Sequence, residues 1–228
     1  MKRCVILSGS GVSEESGIQT FRGSGGLWEG YKLEEVATPE AFERDPELVL
    51  RFYNMRRKAV READPNKAHH AIARLETHFD VMVITQNVDD LHERAGSSKV
   101  LHLHGELLRA RSSQDPGYRV HLGQKDIFLG DLDPAGNQLR PDVVWFGEEV
   151  PAIAEAAGIV EMADILIVIG TSLVVYPAAS LIHHAPLDCR RFVIDPCIPG
   201  SIPLGGWDCI QKKATEGMNE LLKELIPE

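Results

Sequence analysis

CVILSGSGVSEESG, residues 4–17, decides how the chain folds. Four apolar residues, Cys4–Leu7, run straight into a segment where Gly9 and Gly11 permit a tight turn and close approach of the backbone to a ligand. Ser13 is then a natural N-cap for a helix. A short apolar run bounded by glycine or polar clusters is the pattern of a strand buried on both faces, and it recurs at Val81–Thr85, Val100–Leu103, Ile165–Ile169 and Arg191–Ile194. Between these runs lie the helical stretches NKAHHAIARLETHF, AIAEAAGIVEMA, PAASLIHHA and EGMNELLKELI. Strand and helix therefore alternate as in a doubly wound α/β fold, a parallel sheet with helices on both faces. Two segments break the alternation: residues 23–65 read as helices without a strand, and residues 109–138 as an irregular excursion. They are expected to form a smaller inserted lobe, with 1–22, 66–108 and 139–228 making up the sheet domain.

The chain has 228 residues, 43% hydrophobic and 25% charged, enough to bury a good core. A formal net charge of −10 argues against a nucleic-acid groove. No window approaches ~18 consecutive apolar residues, so no membrane span is expected, and the cytoplasm is the default location. The cysteines, Cys4, Cys189, Cys197 and Cys209, show no paired spacing and suit reduced thiols.

Three strand ends carry ligand-binding residue types. The Gly9–Gly11 turn suits a pyrophosphate on helix amides, although the dinucleotide fingerprint would require glycine where this chain has Glu14, and a plain glycine turn reads equally well. ILIVIGTSL adds Gly170, Thr171 and Ser172 at a second carboxyl edge. FVIDP places Asp195 where a carboxylate binds ribose hydroxyls. Together they point to a nucleotide site.

GSGVSEESGIQTFRG, TQNVDDLHERAG, LHLHGEL, RPDVVWFGE and GTSLVVYPAA, in that order and spanning nearly the whole chain, resemble the sirtuin family of NAD-dependent protein lysine deacylases. The resemblance implies a Rossmann-like large domain, a small lobe, NAD as cofactor and a cleft between the two lobes where NAD meets acyl-lysine. It implies nicotinamide and O-acyl-ADP-ribose as products. His104 matches the catalytic histidine, a general base on a ribose hydroxyl, and an imidazole suits that task near neutral pH. His102 shares its strand face, but the motif selects His104; the remaining histidines read as structural or surface residues. Asn87 and Asp89 match the catalytic pair, and with Gln86 and Val88 they hold the ribose and the nicotinamide amide. The remaining cofactor positions implied are Gly9, Ser10, Gly11, Ser13, Gly17, Thr20, Phe21, Arg22, Trp28, Gly170, Thr171, Ser172, Asp195 and Ala214. Val144, Phe146, Gly147, Glu148 and Val174 match the segments between which acyl-lysine peptides thread as an added strand, with loose sequence selectivity.

Helical geometry sets out the faces of PELVLRFYNMRRKAVREA, residues 46–63. Leu48, Phe52, Met55 and Ala59 form an apolar stripe, with Arg51, Asn54, Lys58 and Arg61 opposite. Val49, Tyr53, Arg56 and Val60 share a third face, so a phenol and a guanidinium sit one turn apart, a good carboxylate receptor. Tyr53-x-x-Arg56 also resembles the motif of sirtuins that remove succinyl, malonyl and glutaryl groups. Acidic-acyl deacylation is therefore expected. A general deacetylase, an NAD or ADP-ribose binding module with little turnover, and ADP-ribosyl transfer are the alternatives.

Most sirtuins hold a structural zinc with two cysteine pairs after the HG motif. Residues 105–139 here contain no cysteine and a single histidine, His121, so no zinc is expected. Tyr118, Val120, Leu122, Ile127, Phe128, Leu129 and Leu132 are expected to order the segment by packing against the sheet domain. Ser10 stands for the family's usual alanine, Gln19 for proline, Asp142 for histidine and Asp195 for asparagine.

Overall fold

The computed structural model describes residues 1–20, 27–28, 30–202 and 205–226. The strands among them are β1 (Arg3–Ser8), β2 (Leu27–Trp28), β3 (Tyr31–Lys32), β4 (Asp80–Thr85), β5 (Val100–His102), β6 (Gly105–Ser112), β7 (Arg119–His121), β8 (Leu139–Val143), β9 (Ile165–Ile169), β10 (Arg190–Ile194) and β11 (Asp208–Ile210). The helices are α1 (Gly11–Glu14), α2 (Leu33–Val36), α3 (Pro39–Arg44), α4 (Pro46–Glu62), α5 (Lys67–Arg74), α6 (Leu91–Arg94), α7 (Ile153–Val160) and α8 (Ala214–Leu225). None is long and apolar enough to cross a membrane.

A six-stranded parallel sheet, in the order β11-β10-β9-β1-β4-β5, confirms the Rossmann-like α/β architecture. Its strands are buried on both sides because alternate residues enter different cores. Cys4 and Ile6 face Ile72, Val83, Ile167, Phe192 and Met218, beneath α5 and α8. Val5 and Leu7 face Val160, Leu166, Val168 and Leu181, beneath α7 and a 3-10 helix at Ala178–His184. The chain leaves β1 toward β4 and β5 and later returns through β9 on the other side. The carboxyl ends of β1 and β9 are thus the topological switch point, where such sheets bind ligands.

The strand readings hold to within a residue or two at their ends. Two differences are small: β11 is a short edge strand with a mostly exposed sequence, DCI, and the 23–65 segment, expected to hold no strand, contains the two-residue antiparallel pair β2–β3. A larger difference lies after His104. Residues 105–112 pair with 139–143 on one side and with β7 on the other in a separate antiparallel sheet, β7-β6-β8. The break from the parallel sheet falls at Gly105, whose φ of +81° and position against Asp142 exclude a side chain: an added Cβ would lie 2.1 Å from the Asp142 carbonyl oxygen.

Helix α4 starts at Asp45, whose carboxylate accepts from Leu48 N–H at 2.9 Å, with Pro46 at the first helical position. Its expected apolar stripe is wrong in part, since Met55 is 43% exposed and Ala59 is also exposed. The buried surface runs instead through Val49, Phe52, Tyr53, Arg56, Arg57 and Val60. Phe52 and Tyr53 join an aromatic cluster with Trp28, Tyr31 and Trp145. Asn54 and Arg61 of the polar side of α4, with Arg57, hold the excursion in place. Asn54 donates to the Ile127 carbonyl at 2.8 Å and accepts the Ile127 N–H at 3.1 Å. Arg57, fully buried, donates to the Leu107 carbonyl at 2.9 Å and lies 3.6 Å from Asp126, and Arg61 pairs with the same Asp126 at 3.0 Å.

Leu122 and Ile127 bury themselves against Leu50 and Ala110, with Val120 half-buried beside them, so the segment packs on the helical lobe rather than on the parallel sheet. Tyr118 is also half-buried. Phe128, Leu129 and Leu132 do not pack as expected and are exposed. Their loop is set by polar groups: Phe128 N–H donates to Asp131 at 2.8 Å, and Gln138 donates to the Phe128 carbonyl at 3.0 Å.

Replacing Asn54 with alanine orphans both Ile127 backbone groups and is expected to lower stability in urea by about 1–3 kcal/mol. Dialysis against EDTA is expected to leave the melting temperature unchanged; a chelator-dependent drop would show that a metal orders this segment.

Candidate functional site

At the switch point the loops after β1 and β9 touch backbone to backbone. Gly9 N–H donates to the Ile169 carbonyl at 3.0 Å and Gly11 N–H to the Gly170 carbonyl at 2.9 Å. An added Cβ on Gly9 would lie 2.6 Å from Thr171 Cβ, one on Gly11 2.9 Å from Gly170 Cα, and one on Gly170 2.5 Å from Val12 N. No side chain fits at any of the three, so the space above these turns is left open by their lack of side chains. That space is a cavity of about 460 Å³ running from the glycine turns to α4 and β8.

The cavity gathers most of the residues the sequence singles out. Gly9, Ser10, Gly11, Ser13 and Thr20 line it from the first loop, and Gln86, Asn87, Val88 and Asp89 from the loop after β4. His104, Gly170, Thr171, Ser172, Asp195 and Ala214 complete the cofactor set, with Trp28. Tyr53, Arg56, Val144, Phe146, Gly147, Glu148 and Val174 line its other end. Gly17 does not line it; with φ of +86° it follows the end of α1. Phe21 and Arg22 lie outside the described residues. The lining also includes Glu14, Ile18, Gln19, Val60, Trp145, Tyr176 and Lys213, which the sequence reading did not assign. Glu14, Ile18, Gln19, Trp145 and Tyr176 fall inside the quoted motifs and Val60 shares the helix face of Tyr53, a signal that was there to use; Lys213 had none.

His104 ends the β5 run, and its Nδ1 lies 3.1 Å from the Gln86 carbonyl. A carbonyl only accepts, so Nδ1 carries the proton and Nε2 is left as the basic nitrogen. Burial holds the imidazole below its ordinary 6.5, and the Gln86 bond opposes this in part. The ring is therefore neutral near pH 7, as a proton acceptor requires.

Ser13 joins two other polar side chains. Its hydroxyl accepts from Asn87 Nδ2 at 3.0 Å and donates to Asp89 Oδ2 at 3.0 Å. Asp89 Oδ1 accepts Leu91 N–H at 3.2 Å. Burial pushes the Asp89 carboxyl up, while the bonds from Leu91 and Ser13 pull it back toward ionisation. Gln86 Nε2 donates to Thr171 Oγ1 at 2.9 Å, tying the loop after β4 to that after β9.

Behind Asn87 lies a buried chain of polar groups. Asn87 N–H donates to Thr85 Oγ1 at 3.0 Å, Ser8 Oγ donates to the same oxygen at 2.9 Å, and Ser8 Oγ lies 2.9 Å from His92 Nε2. His92 packs edge-on against His69 with centroids 5.0 Å apart. Burial, reinforced by their neighbouring histidines, brings His69 down to about 4 and His92 down to about 3. Both are neutral core residues, in line with their reading as structural.

At the α4 end, Tyr53 accepts Trp145 Nε1–H at 2.9 Å, and the Arg56 guanidinium lies 4.2 Å from the Trp28 ring centroid. Indole N–H only donates, so the phenol keeps its own proton for a further acceptor. Glu148 is engaged elsewhere: its carboxylate accepts from Arg140 at 2.7 and 3.1 Å, from Arg111 at 2.8 Å and from Trp145 N–H at 2.8 Å. It shapes the 145–148 turn, and Arg140 stacks on Trp145 at 3.2 Å. Phe146, Val174 and Tyr176 are exposed at the mouth, from segments on its two sides.

The Sir2 family pattern matches residues 9–177. An NAD-dependent protein deacylase of Helicobacter pylori (strain J99 / ATCC 700824) is 54% identical over 226 residues, covering 99% of this chain and 96% of that protein. A crystal structure of a Sir2 homologue–NAD complex, 44% identical, superposes with a TM-score of 0.88 over 98% of this chain and 89% of that one. A Sir2 variant bound to a deacetylated p53 peptide and 3′-O-acetyl ADP ribose, 31% identical, superposes at 0.83 over 97% and 92% of the two chains.

Because His69 and His92 are depressed in the fold, the unfolded chain binds more protons below about pH 6.5, and stability falls with pH toward 4 and then 3. Each group contributes a slope of up to about 1.4 kcal/mol per pH unit in that window. Urea titrations from pH 7 to 4.5 are expected to show a shallower slope for His92→Asn than for the wild type; equal slopes would mean that His92 is not held neutral.

Proposed function

The chain belongs to the Sir2 family, and on that footing we propose that it is an NAD-dependent protein lysine deacylase preferring acyl groups that end in a carboxylate, such as succinyl, malonyl and glutaryl. The observation that carries the acyl preference is the placement of Tyr53 and Arg56 together in the wall of the cavity that also holds His104. Tyr53 retains an O–H to donate, and Arg56 offers a planar fork held against Trp28. Both are buried, so a carboxylate there would be bound away from water, where a charge-assisted pair is stronger.

The site suits NAD on its own geometry. The cradle formed by Gly9, Gly11 and Gly170, where no Cβ fits, would take the pyrophosphate, with Asp195 and Ala214 toward the adenosine end. Asn87, Asp89 and Ser13 would hold the amide and ribose near the reacting centre. When bound, NAD supplies the ribose carbon that accepts the acyl oxygen as nicotinamide departs. His104 Nε2 is placed to take a proton from a ribose hydroxyl, and its neutral form at pH 7 leaves that nitrogen ready. Segments 145–147 and 174–176 would receive the peptide between them as an added strand, with Phe146, Val174 and Tyr176 covering its flanks. The 109–138 segment is proposed to need no zinc. That reading is supported by the absence of cysteine from 105–139 and by the Asn54, Arg57 and Arg61 anchors.

Incubation with NAD and matched succinyl-lysine and acetyl-lysine peptides, followed by mass spectrometry, is expected to show faster loss of succinyl. Arg56→Met should lower kcat/KM for the succinyl peptide by on the order of 2–5 kcal/mol and leave the acetyl peptide little changed. Equal or better turnover of acetyl by the wild type would overturn the acidic-acyl preference, and NAD binding without turnover of either peptide would overturn the deacylase.

A further inference from the structure

We propose that His102 acts as a positioning residue in its doubly protonated form, an imidazolium clamped between Glu93 and the Asn87 carbonyl that fixes the loop carrying Asn87 and Asp89. This deepens the deacylase reading above and rests on it for its kinetic effect.

His102 and His104 lie two residues apart, so they point to the same side of the strand run. Each reaches the loop after β4 through Nδ1: His104 at 3.1 Å from the Gln86 carbonyl, His102 at 3.0 Å from the Asn87 carbonyl. They differ at the other nitrogen. His102 Nε2 lies 2.7 Å from Glu93 Oε1 on α6. A carbonyl oxygen and a carboxylate oxygen both only accept, so both ring nitrogens of His102 must donate, and only the cation carries two N–H groups. His104 has one such acceptor and remains a neutral base.

The groups facing His102 agree with this assignment. Glu93 from α6 and Glu106 from β6 are acidic, Asn87 presents its carbonyl, and the nearby His92 is itself held neutral. Burial opposes the charge, but the bond to Glu93, its charge, the Asn87 carbonyl and Glu106 outweigh it and raise His102 above 6.5; Glu93 is lowered in turn despite its own burial. The cation also acts on Asp89, where it favours the carboxylate against desolvation. Asn87 is thereby pinned at three points: its N–H by Thr85, its side chain by Ser13 and its carbonyl by His102. One histidine thus sets the loop while its neighbour two residues on is left for proton transfer.

Glu93→Gln separates charge from shape, because the glutamine amide can donate to Nε2 and a neutral Nδ1–H ring then keeps both bonds. In protein labelled with ¹⁵N-histidine, long-range ¹H–¹⁵N spectra at pH 7 are expected to show both His102 nitrogens protonated in the wild type and Nε2 unprotonated in Glu93→Gln. His102→Phe, which removes both bonds, is expected to lower kcat/KM for NAD by up to about 100-fold with the peptide KM unchanged. As pH rises past the His102 value, the wild type loses the N–H that Glu93 accepts and should lose activity, whereas Glu93→Gln, whose neutral ring keeps both bonds, should not show that fall. A wild-type His102 with one unprotonated nitrogen at pH 7 overturns the proposal, as does a Glu93→Gln enzyme with unaltered pH profile. Failure of the wild type to turn over any acyl peptide would overturn the deacylase reading alone, since the spectra report the charge of His102 without turnover.

Discussion

The backbone contact between the loops after β1 and β9 is the constraint on which the rest of the site depends. Gly9 and Gly11 lie against Gly170 and Thr171 with no room for a methyl group, and two hydrogen bonds fasten them. The contact falls where the strand order reverses, so it also decides where the sheet opens toward a ligand. Ser13 stands in α1, just past that first loop, and from it the bonds to Asn87 and Asp89 extend to the loop after β4. Gln86 closes the ring by returning to Thr171. Three loops from distant parts of the chain are in this way held by a few short bonds around one glycine junction.

Polar groups that would weaken an apolar core are used here to transmit position. Thr85, Ser8 and His92 form a line inside the sheet that ends on the Asn87 amide. Their burial keeps the histidines uncharged, and an uncharged imidazole is the form a dry interior tolerates. Closer to solvent, His102 and Glu93 share a short bond at the edge of the same loop. Two histidines two residues apart thus differ in their bonding: His102 finds an acceptor at each ring nitrogen, His104 one at Nδ1.

Much of this was legible in the sequence, and the limits have physical causes. Continuous apolar runs at Cys4–Leu7 and Ile165–Ile169 identify central parallel strands because both faces are buried. β11 carries no such signal, being a three-residue strand on the sheet edge. The β6–β8 pairing was hidden because its register shifts between Glu106 and Ala110 and its strands are separated by a long, turn-rich segment. Within α4, hydropathy alone selected Met55 and Ala59, whereas the buried surface includes Arg56 and Arg57, whose polar atoms are accommodated by partners far away in sequence. Motif order located most of the cavity lining, because the motifs sit at strand ends that the topology brings to one place. It said nothing of how Glu148 would be used, since its arginine partners include Arg111, across the small sheet.

Helix α4 has a double duty. Tyr53 and Arg56 look into the cavity, while one residue away in each case Asn54 and Arg57 grip Ile127 and Leu107 of the small lobe. Any rotation of the helix that recasts the pocket wall also drags on the lobe's anchorage. The shape of that cavity wall and the integrity of the lobe are therefore inherited as one trait in this chain, and a redesign that broadens the cavity would have to reshape side chains in place and leave the helix axis still.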